Sequence, residues 1–335
     1  MRPMLTDKRN RPLRDLRISV TDQCNLRCRY CMPKEIFDDH FPFLGQDQLL
    51  TFDEIVQIVH ACRTTADLKK LRITGGEPLL RKNLPDLIGR LRRETKIDDI
   101  AMTTNGILLP KKAHVLKEAG LSRVSVSLDS LNNSRFQAIT GRTLKVEHVL
   151  NGIKAAEDAG LPVKINMVVK KGMNEEDILP MVEQFKGTGV IVRFIEYMDV
   201  GNANGWKLDH VITKAEIVEM INAVHPLEEA PANTPGETAS RYQFKDGSGE
   251  IGVISSVSDA FCAACNRARL TADGQFITCL FASKGHDLKA VLRNEGESID
   301  SAIARIWTGR KDQYSEDRLK QTADRKKVEM HRVGG

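Results

Sequence analysis

Residues 15–32 read DLRISVTDQCNLRCRYCM and combine a strand pattern with three cysteines. The first part of this run is rich in β-branched and aliphatic residues that alternate with polar ones, which is typical of a strand. Cys24, Cys28 and Cys31 follow at the carboxyl end of that predicted strand. Three cysteines therefore crowd into eight positions of a chain that has only seven in total.

Five more strand-like runs follow along the chain up to residue 198. Helix-length amphipathic segments separate them, so strand and helix alternate about six times. The runs are LRITGG (71–76), DIAMTTNG (99–106), RVSVSLD (123–129), VKINMVV (163–169) and VIVRFIEYM (190–198). Six units are too few for a full eight-fold barrel. We therefore expect an α/β fold, an incomplete (β/α)6 TIM-like barrel with active-site loops at the carboxyl ends of its strands.

The carboxyl-terminal part has a different pattern. The segment HPLEEAPANTPGETASRYQFKDGSGEIG, residues 225–252, has the proline, glycine and polar density of loops between short strands. We expect residues 1–220 to form the partial barrel and residues 221–335 to form a smaller α+β region that closes the barrel mouth. From residue 311 onward, composition by itself indicates a solvated helix and a frayed tail.

Length and composition exclude several classes of protein. With 335 residues, of which 41% are hydrophobic, the chain can bury a large core. It has no apolar run near the roughly 18 residues of a membrane span, and its start, MRPMLTDKRN, lacks the apolar centre of a signal peptide. We therefore expect a cytoplasmic protein that contacts no membrane. The net charge of +5 is mild for this size, and we expect no nucleic-acid partner.

The first group of cysteines suits an iron–sulfur cluster. In a reducing compartment, an odd number of clustered thiols indicates metal or redox chemistry rather than disulfides. Cys24, Cys28 and Cys31 can ligate three irons of a cubane and leave the fourth iron open. Zinc is the alternative, although a closed zinc site needs a fourth ligand and none lies near in sequence.

A second group of cysteines occurs in FCAACNRARLTADGQFITCLF, residues 261–281. Cys262, Cys265 and Cys279 again provide three ligands, so a second open cluster is the simplest interpretation. Zinc is a stronger alternative here, because the spacing is ordinary for zinc and His286 could complete the site. The remaining cysteine, Cys62, lies on the apolar face of a predicted helix and is expected to be a core residue.

Basic side chains share the polar phase of several predicted strands. Arg267 and Arg269 lie two residues apart, so an extended segment puts them on the same side. By the same alternation, Arg17, Lys70, Arg72 and Lys164 should face the barrel lumen, while their aliphatic neighbours face the helices. Converging cations are costly unless a polyanion neutralises them, and arginine suits phosphate oxygens. For any single residue, a solvated strand end is the simpler interpretation.

Two motifs carry a family resemblance. The spacing C-x3-C-x2-C with Tyr30 before the last cysteine, together with GGEP at residues 75–78, resembles the radical S-adenosylmethionine enzymes. The resemblance implies that S-adenosylmethionine binds the open iron of the first cluster. Reduction would then cleave the sulfonium and give a 5′-deoxyadenosyl radical that abstracts hydrogen.

Over nearly the full chain, the sequence resembles the GTP 3′,8-cyclase family of molybdenum-cofactor biosynthesis. The matching stretches include LRITGGEPLLR, MTTNG, VSVSLDS, RFIEYMDVGN and FCAACNRARLTADG. The resemblance implies two [4Fe-4S] clusters, S-adenosylmethionine and GTP, with the guanine near the second cluster. The radical would take the 3′ hydrogen of the ribose, and the new carbon radical would attack C8 of guanine. After one-electron reduction and protonation of the resulting nucleotide radical, the product would be (8S)-3′,8-cyclo-7,8-dihydroguanosine 5′-triphosphate.

The same resemblance implies roles for individual residues. Those expected to contact S-adenosylmethionine are Tyr30, Gly75, Gly76, Ser127 and Met198. Those expected to contact GTP are Arg17, Lys70, Arg72, Thr103, Lys164, Arg193, Arg267 and Arg269. The residues expected to take part in catalysis are Arg17, Arg267, Arg269, Gly334 and Gly335, the last two forming a terminal diglycine that enters the active site.

Partners and alternatives complete the expectations. We expect an electron donor such as flavodoxin or ferredoxin, a downstream cyclic pyranopterin monophosphate synthase, and a homodimer. One alternative is a peptide-modifying radical enzyme with an auxiliary cluster, although such enzymes usually carry more cysteines in the carboxyl half. Another is a non-catalytic iron–sulfur redox sensor, against which the GGEP motif argues.

Overall fold

A computed structural model describes residues 5–318 and 326–334. Its strands are β1 (Asp15–Ser19), β2 (Lys70–Thr74), β3 (Asp99–Thr104), β4 (Arg123–Ser127), β5 (Val163–Val169), β6 (Ile191–Glu196), β7 (Leu227–Ala230), β8 (Ser240–Phe244), β9 (Glu250–Ile254), β10 (Arg267–Leu270), β11 (Gln275–Ile277) and β12 (His286–Asp287). Its α-helices are α1 (Phe52–Ala66), α2 (Leu84–Thr95), α3 (Ala113–Glu118), α4 (Asn133–Thr140), α5 (Glu147–Asp158), α6 (Ile178–Phe185), α7 (Lys214–Asn222), α8 (Leu288–Arg293), α9 (Ile299–Gly309), α10 (Tyr314–Asp317) and α11 (Met330–Val333).

All the described strands belong to one sheet. Its order is β12-β11-β10-β1-β2-β3-β4-β5-β6-β9-β8-β7. The six strands from β1 to β6 are parallel and adjacent, each connected through at least one helix, which confirms the predicted α/β partial barrel.

Two strands of the carboxyl-terminal part extend the parallel row. β10 pairs in parallel with β1, and β9 pairs in parallel with β6. The parallel row therefore has eight strands, with antiparallel strands at its two ends. The chain passes from β9 to β10 through residues 255–266, which thus connect the two ends of the parallel row. The sequence does not predict this extension, because the pairing of β9 with β6 and of β10 with β1 joins segments far apart in the chain.

The alternation of residues along each strand separates the core from the lumen. Ile18, Ile73 and Ile165 are fully buried against the helices and belong to one continuous hydrophobic cluster. Cys62 of α1 is buried in the same cluster, as predicted. Arg17 and the other polar residues that alternate with these aliphatic ones line the two cavities inside the barrel. The polar side chains thus face the lumen, as the sequence predicted.

Local signals in the sequence fix the helix ends. Thr51 and Glu54 form a reciprocal capping box at the start of α1, which satisfies backbone donors that the first turn leaves free. Gly120 and Gly160 have positive φ after α3 and α5, which lets the chain turn back into the next strand. No helix in the described ranges is both long and apolar enough to cross a membrane.

A loop crosses the barrel at the amino-terminal ends of its strands. This loop, residues 231–239 between β7 and β8, is called the strap below. Lys70 at the start of β2 donates a hydrogen bond to Thr234 of the strap (3.3 Å). A Cβ atom on Gly236 would lie 2.6 Å from the side-chain nitrogen of Asn266, just before β10. The strap thus contacts the barrel at β2 and just before β10.

Candidate active site

The first triad, Cys24, Cys28 and Cys31, lies in the loop that follows β1. The loop turns tightly, since the amides of Cys31 and Met32 both donate to the carbonyl of Cys28 (2.9 and 2.7 Å). Burial raises the pKa of Cys24 to about 11, and burial followed by the two neighbouring thiols raises the pKa of Cys28. Crowded, buried thiolates need a bound cation, so the donor set fits an iron–sulfur cluster.

The glycines of the GGEP motif allow the cysteine loop to pack tightly against the end of β2. A Cβ atom would lie 2.3 Å from the Thr21 carbonyl oxygen at Gly75, and 2.2 Å from that of Gln23 at Gly76. The Gly76 amide donates to the Thr21 carbonyl (2.9 Å). Only residues without a side chain fit there. These two glycines therefore let the loop that carries the first triad lie directly against the end of β2.

Two buried carboxylates that the sequence analysis left unassigned support this loop. Tyr30 donates its hydroxyl hydrogen to Asp129 (2.7 Å), which follows β4 and the half-buried Ser127. Burial raises the pKa of Asp129 to about 6. Glu77 of the GGEP motif is 1% exposed and accepts from the Thr104 hydroxyl (2.7 Å) and the Asn105 amide (2.8 Å). Asp129 lies in the stretch VSVSLDS and Glu77 in GGEP. Their position inside these motifs is the sequence signal that could have identified both acids.

The second triad, Cys262, Cys265 and Cys279, lines a cavity inside the barrel, called the triad cavity below. Burial alone would raise the pKa of Cys265, but Arg267 and Arg310 lower it to about 7. Arg310 donates to the Cys265 sulfur at 3.2 Å. Burial raises the pKa of Cys279 to about 12. One thiol is thus prepared for deprotonation, which metal binding requires.

His286, the possible fourth zinc ligand, lies away from the second triad. Among residues 5–318 and 326–334, no three histidine, cysteine, aspartate or glutamate side chains converge on a point that could hold a single ion. His286 is exposed on β12 and does not line the triad cavity. A cubane takes each thiolate on a different iron, so its ligands stand further apart than those of one zinc ion.

A second cavity, of about 690 Å³, lies at the amino-terminal ends of the strands and is called the amino-terminal cavity below. The predicted GTP-contacting residues distribute between the two cavities. Those that line both are Arg17, Arg72, Arg193 and Arg267. Lys70 and Lys164 line the amino-terminal cavity alone, whereas Thr103 and Arg269 line the triad cavity alone. Met198, which is expected to contact S-adenosylmethionine, also lines the triad cavity. The shared arginines lie where the two cavities meet.

The lumen between the cavities holds an excess of positive charge. Arg17 lies in register with Arg72 on β2 and with Arg269 on β10. Burial and these two arginines lower the pKa of Arg17, and burial with Arg72 lowers that of Arg193 to about 10. Asp15 pairs with Arg72 (3.0 Å), but the buried Nε atoms of Arg17 and Arg193 have no partner in the described structure. Such a cluster is stabilised by an anion.

Comparison with known proteins agrees with these features. The model of the radical SAM superfamily matches residues 18–185, and that of the Molybdenum Cofactor Synthesis C family matches residues 190–316. A protein named GTP 3′,8-cyclase from Staphylococcus haemolyticus is 48% identical, with 99% of each chain covered. The chain belongs to the GTP 3′,8-cyclase family. Proteins of that name from Acidothermus cellulolyticus and Xanthomonas campestris are 45% and 48% identical over 99% of this chain.

Solved structures show that the fold extends beyond the GTP 3′,8-cyclase family. SuiB of Streptococcus suis, solved with bound S-adenosylmethionine, superposes with a TM-score of 0.63 at 15% identity, covering 93% of this chain and 69% of its own. Methylornithine synthase (PylB) gives a TM-score of 0.54 at 12% identity, covering 92% and 86%. These likenesses concern the fold alone.

The carboxyl-terminal segment of this GTP 3′,8-cyclase family member, residues 326–334, enters the barrel and is called the tail below. Arg269 donates to the carbonyl of Val333 (2.7 Å) and to that of Gly334. Gly334 has a φ of +67° and lies against Thr74, where a Cβ atom would be 2.1 Å from the methyl carbon. Gly335 lies outside the described residues. Composition indicated a frayed tail, whereas the described part is packed.

Two clusters of side chains hold the tail in place, and the sequence analysis identified neither. His331 is 2% exposed and packs edge-on against Phe37, with ring centroids 4.8 Å apart. Asp199 accepts hydrogen bonds from Tyr314 (2.6 Å), Arg318 (2.9 Å) and Lys327 (2.6 Å). The carboxylate thus ties the start of the tail to the segment that precedes it.

The fit of Gly334 gives the first prediction. Gly334→Ala should lower GTP turnover by about tenfold to a hundredfold, because the added methyl group collides with Thr74 and moves the carbonyls away from Arg269. Product formation under anaerobic conditions would measure the loss. Gly309→Ala, at a site with open space around it, is the matched control and should retain full turnover. Normal turnover in Gly334→Ala would contradict a positional role for the tail.

Proposed function

We propose that this chain is the radical enzyme that converts GTP to (8S)-3′,8-cyclo-7,8-dihydroguanosine 5′-triphosphate, the first step of molybdenum-cofactor biosynthesis. One observation carries the proposal. The triad cavity and the amino-terminal cavity meet at four arginines that line both. A cysteine triad lies at one end of the combined lumen, and a row of cations lies at the other. A nucleoside triphosphate has the matching polarity, with a neutral base at one end and a polyanion at the other.

The first triad holds a [4Fe-4S] cluster in this proposal. With S-adenosylmethionine bound, that cluster supplies a carbon-centred radical able to abstract hydrogen. The side chains and backbone that surround the S-adenosylmethionine are those of Tyr30, Gly75, Gly76, Ser127 and Met198. Met198 also lines the triad cavity, which supports a position between the two triads.

GTP lies along the lumen, with its guanine next to a second [4Fe-4S] cluster on Cys262, Cys265 and Cys279. The triphosphate extends toward Lys70, Arg72, Lys164 and Arg193, whose charge lacks sufficient counterions in the described structure. Burial, followed by Arg193, lowers the pKa of Lys164, which shows how crowded these cations are. Arg17 and Thr103 orient the ribose between the two ends. Arg269 holds the tail, with Gly334 and Gly335, against the reacting region.

The two parts of the chain divide this work. Residues 1–220 carry the strands β1 to β6 and the first triad, and we infer that they generate the radical. Residues 221–335 carry the second triad, the strap and the tail, and they position the substrate. Six thiols reserved for iron suit a reducing compartment, so the cytoplasm is the proposed location.

The electron donor is proposed to dock on a basic rim beside the first triad. This basic rim consists of Arg29, Lys34 and Arg142 around a shallow external cavity whose lining also includes Glu35. None of the three basic side chains forms an ion pair with any residue that the structure describes. Arg29 directly follows Cys28 in the chain, so a bound acidic protein would lie close to the cluster. A flavodoxin or ferredoxin has the required charge and chemistry.

Two further partners complete the proposal. The product keeps a reactive, reduced ring system, so a cyclic pyranopterin monophosphate synthase is the downstream enzyme that consumes it. A homodimer is the proposed assembly.

The second prediction separates the roles of the two triads. Wild-type protein should hold about eight iron and eight sulfide per chain, and changing Cys262, Cys265 and Cys279 to serine should halve both. GTP cyclisation should then cease, while reductive cleavage of S-adenosylmethionine continues, because the first triad keeps its ligands. Iron and sulfide analysis, with assays of 5′-deoxyadenosine and product, would test this. Zinc in the second site would contradict the proposal.

The third prediction concerns the two arginines of β10. Arg267 lines both cavities, so Arg267→Ala should weaken GTP binding by about tenfold to a hundredfold, and lysine should restore only part because it lacks the planar fork. Arg269→Ala should lower turnover more than affinity, since Arg269 binds the tail. Anaerobic equilibrium binding and product assays would separate the two effects. Arg305→Ala, at an exposed site, is the control. Unchanged binding in Arg267→Ala would contradict a contact between Arg267 and GTP.

The fourth prediction tests the basic rim. Changing Arg29 and Lys34 together to glutamate should slow S-adenosylmethionine cleavage driven by reduced flavodoxin by about tenfold at low salt. Cleavage driven by dithionite, a small reductant, should not change. Lys245→Glu, in an exposed turn before β9, is the matched control. Equal loss with both reductants would mean that the substitutions damage the first triad instead of the docking surface.

A further inference from the structure

The strap places one acidic side chain inside a cavity that is otherwise dominated by cations. Glu237 lines the amino-terminal cavity together with Lys164 and Arg193. Its negative charge acts on both, since it partly offsets the lowering of their pKa values by burial. Within the described residues, however, Glu237 forms no ion pair at contact distance. Its carboxylate instead accepts a hydrogen bond from the backbone amide of Asn233 in the same strap (2.8 Å).

Glu237 differs from the other acids of the amino-terminal cavity. Asp15 belongs to β1 and pairs with Arg72 (3.0 Å), and Asp99 belongs to β3 and pairs with Arg123 (2.5 Å). Those two acids are fixed to the sheet and are neutralised by their partners. Glu237 is carried by a loop whose residues from Pro231 to Pro235 are all exposed. Among the acids that line this cavity, Glu237 is the one that lies in a loop rather than in a strand.

Polar contacts hold the strap over the cavity, and the shortest come from Arg241 of β8, which donates to the Pro231 carbonyl (2.8 Å) and to the Asn233 side chain (2.9 Å). Lys70 donates to Thr234 (3.3 Å), and Asn266 donates to the carbonyl of Pro235 (3.4 Å). Both hydrogen bonds are long, and Lys70 is itself a proposed phosphate ligand. A phosphate oxygen that approaches Lys70 would therefore compete with Thr234 for the same ammonium group. Entry of an anion into the cavity would loosen this contact of the strap with β2.

We propose that Glu237 is a resident anion that competes with the terminal phosphate of the nucleotide for Lys164 and Arg193. In the empty cavity, its charge balances part of the excess of cations. When a triphosphate enters, the strap moves outward and the terminal phosphate replaces the carboxylate. This inference rests on the proposed function, because it assumes that the phosphate chain lies in the amino-terminal cavity.

The competition has a consequence for product release. The cyclised product keeps the triphosphate chain, so the cations would bind substrate and product alike and hold both tightly. A carboxylate that returns as the phosphates leave weakens the binding of each triphosphate. A diphosphate, which has no terminal phosphate at that position, would leave Glu237 in place. Glu237 therefore acts on triphosphates selectively.

The fifth prediction follows from this selectivity. Glu237→Gln should tighten GTP binding about tenfold, the order expected for removing one like charge at several ångströms, and should change GDP binding by less than about twofold. Glutamine keeps the acceptor for the Asn233 amide, so the strap should keep its conformation. Glu228→Gln, on the exposed face of β7, removes the same charge outside the cavity and should change neither affinity. Anaerobic calorimetric titration of the holoenzyme would measure these affinities.

The titration also separates this inference from the proposed function. GTP affinity in Glu237→Gln that is unchanged or weaker overturns the role of Glu237, and so does an equal gain for GDP. Lys164→Ala is measured alongside. If Lys164→Ala weakens GTP binding while Glu237→Gln has no effect, only the inference about the strap fails. If neither variant alters GTP binding, the placement of the triphosphate fails as well.

Discussion

Repulsion among the arginines of the lumen is the constraint on which the site depends. Arg17, Arg72 and Arg269 lie in register on three adjacent strands, and burial makes their mutual repulsion stronger than it would be in water. The fold tolerates this because each inward residue alternates with an aliphatic one that packs against the helices. The hydrophobic cluster thus supplies the stability that the charged lumen lacks. The lumen is therefore built to bind an anion rather than to stabilise the chain.

The two triads occupy electrostatically different surroundings. In the first triad, burial raises the pKa values of Cys24 and Cys28, followed by Glu77 for Cys24 and by the two neighbouring thiols for Cys28. In the second, Arg267 and Arg310 counteract burial and lower the pKa of Cys265. Positive charge beside a cluster stabilises its reduced, more negative state. Arg267 and Arg310 thus shape the electrostatics of the second triad.

The sequence predicted the parts of the structure that depend on local patterns. Residues close together in the chain determine the strand alternation, the cysteine spacing and the core position of Cys62. The extension of the sheet by β9 and β10 was missed, because parallel pairing between distant segments leaves no local signal. The contacts of Arg269 with the tail and the position of Glu237 were missed for the same reason. Arg269 and the tail are far apart in the chain, and so are Glu237 and the cations around it, and the sheet brings each set together.

The path of the chain from β9 to β10 gives the second triad a mechanical role. Residues 255–266 bridge the two ends of the parallel row, and Cys262 and Cys265 lie on that bridge. Cys279 follows β11, which is the neighbour of β10 in the sheet. A cluster bound to all three cysteines would cross-link this connecting segment to the part of the sheet that contains β10 and β11. Oxidative loss of that cluster would then loosen the connection between the two ends of the parallel row. Amide hydrogen exchange along β9 and β10 would rise before exchange in the remaining strands.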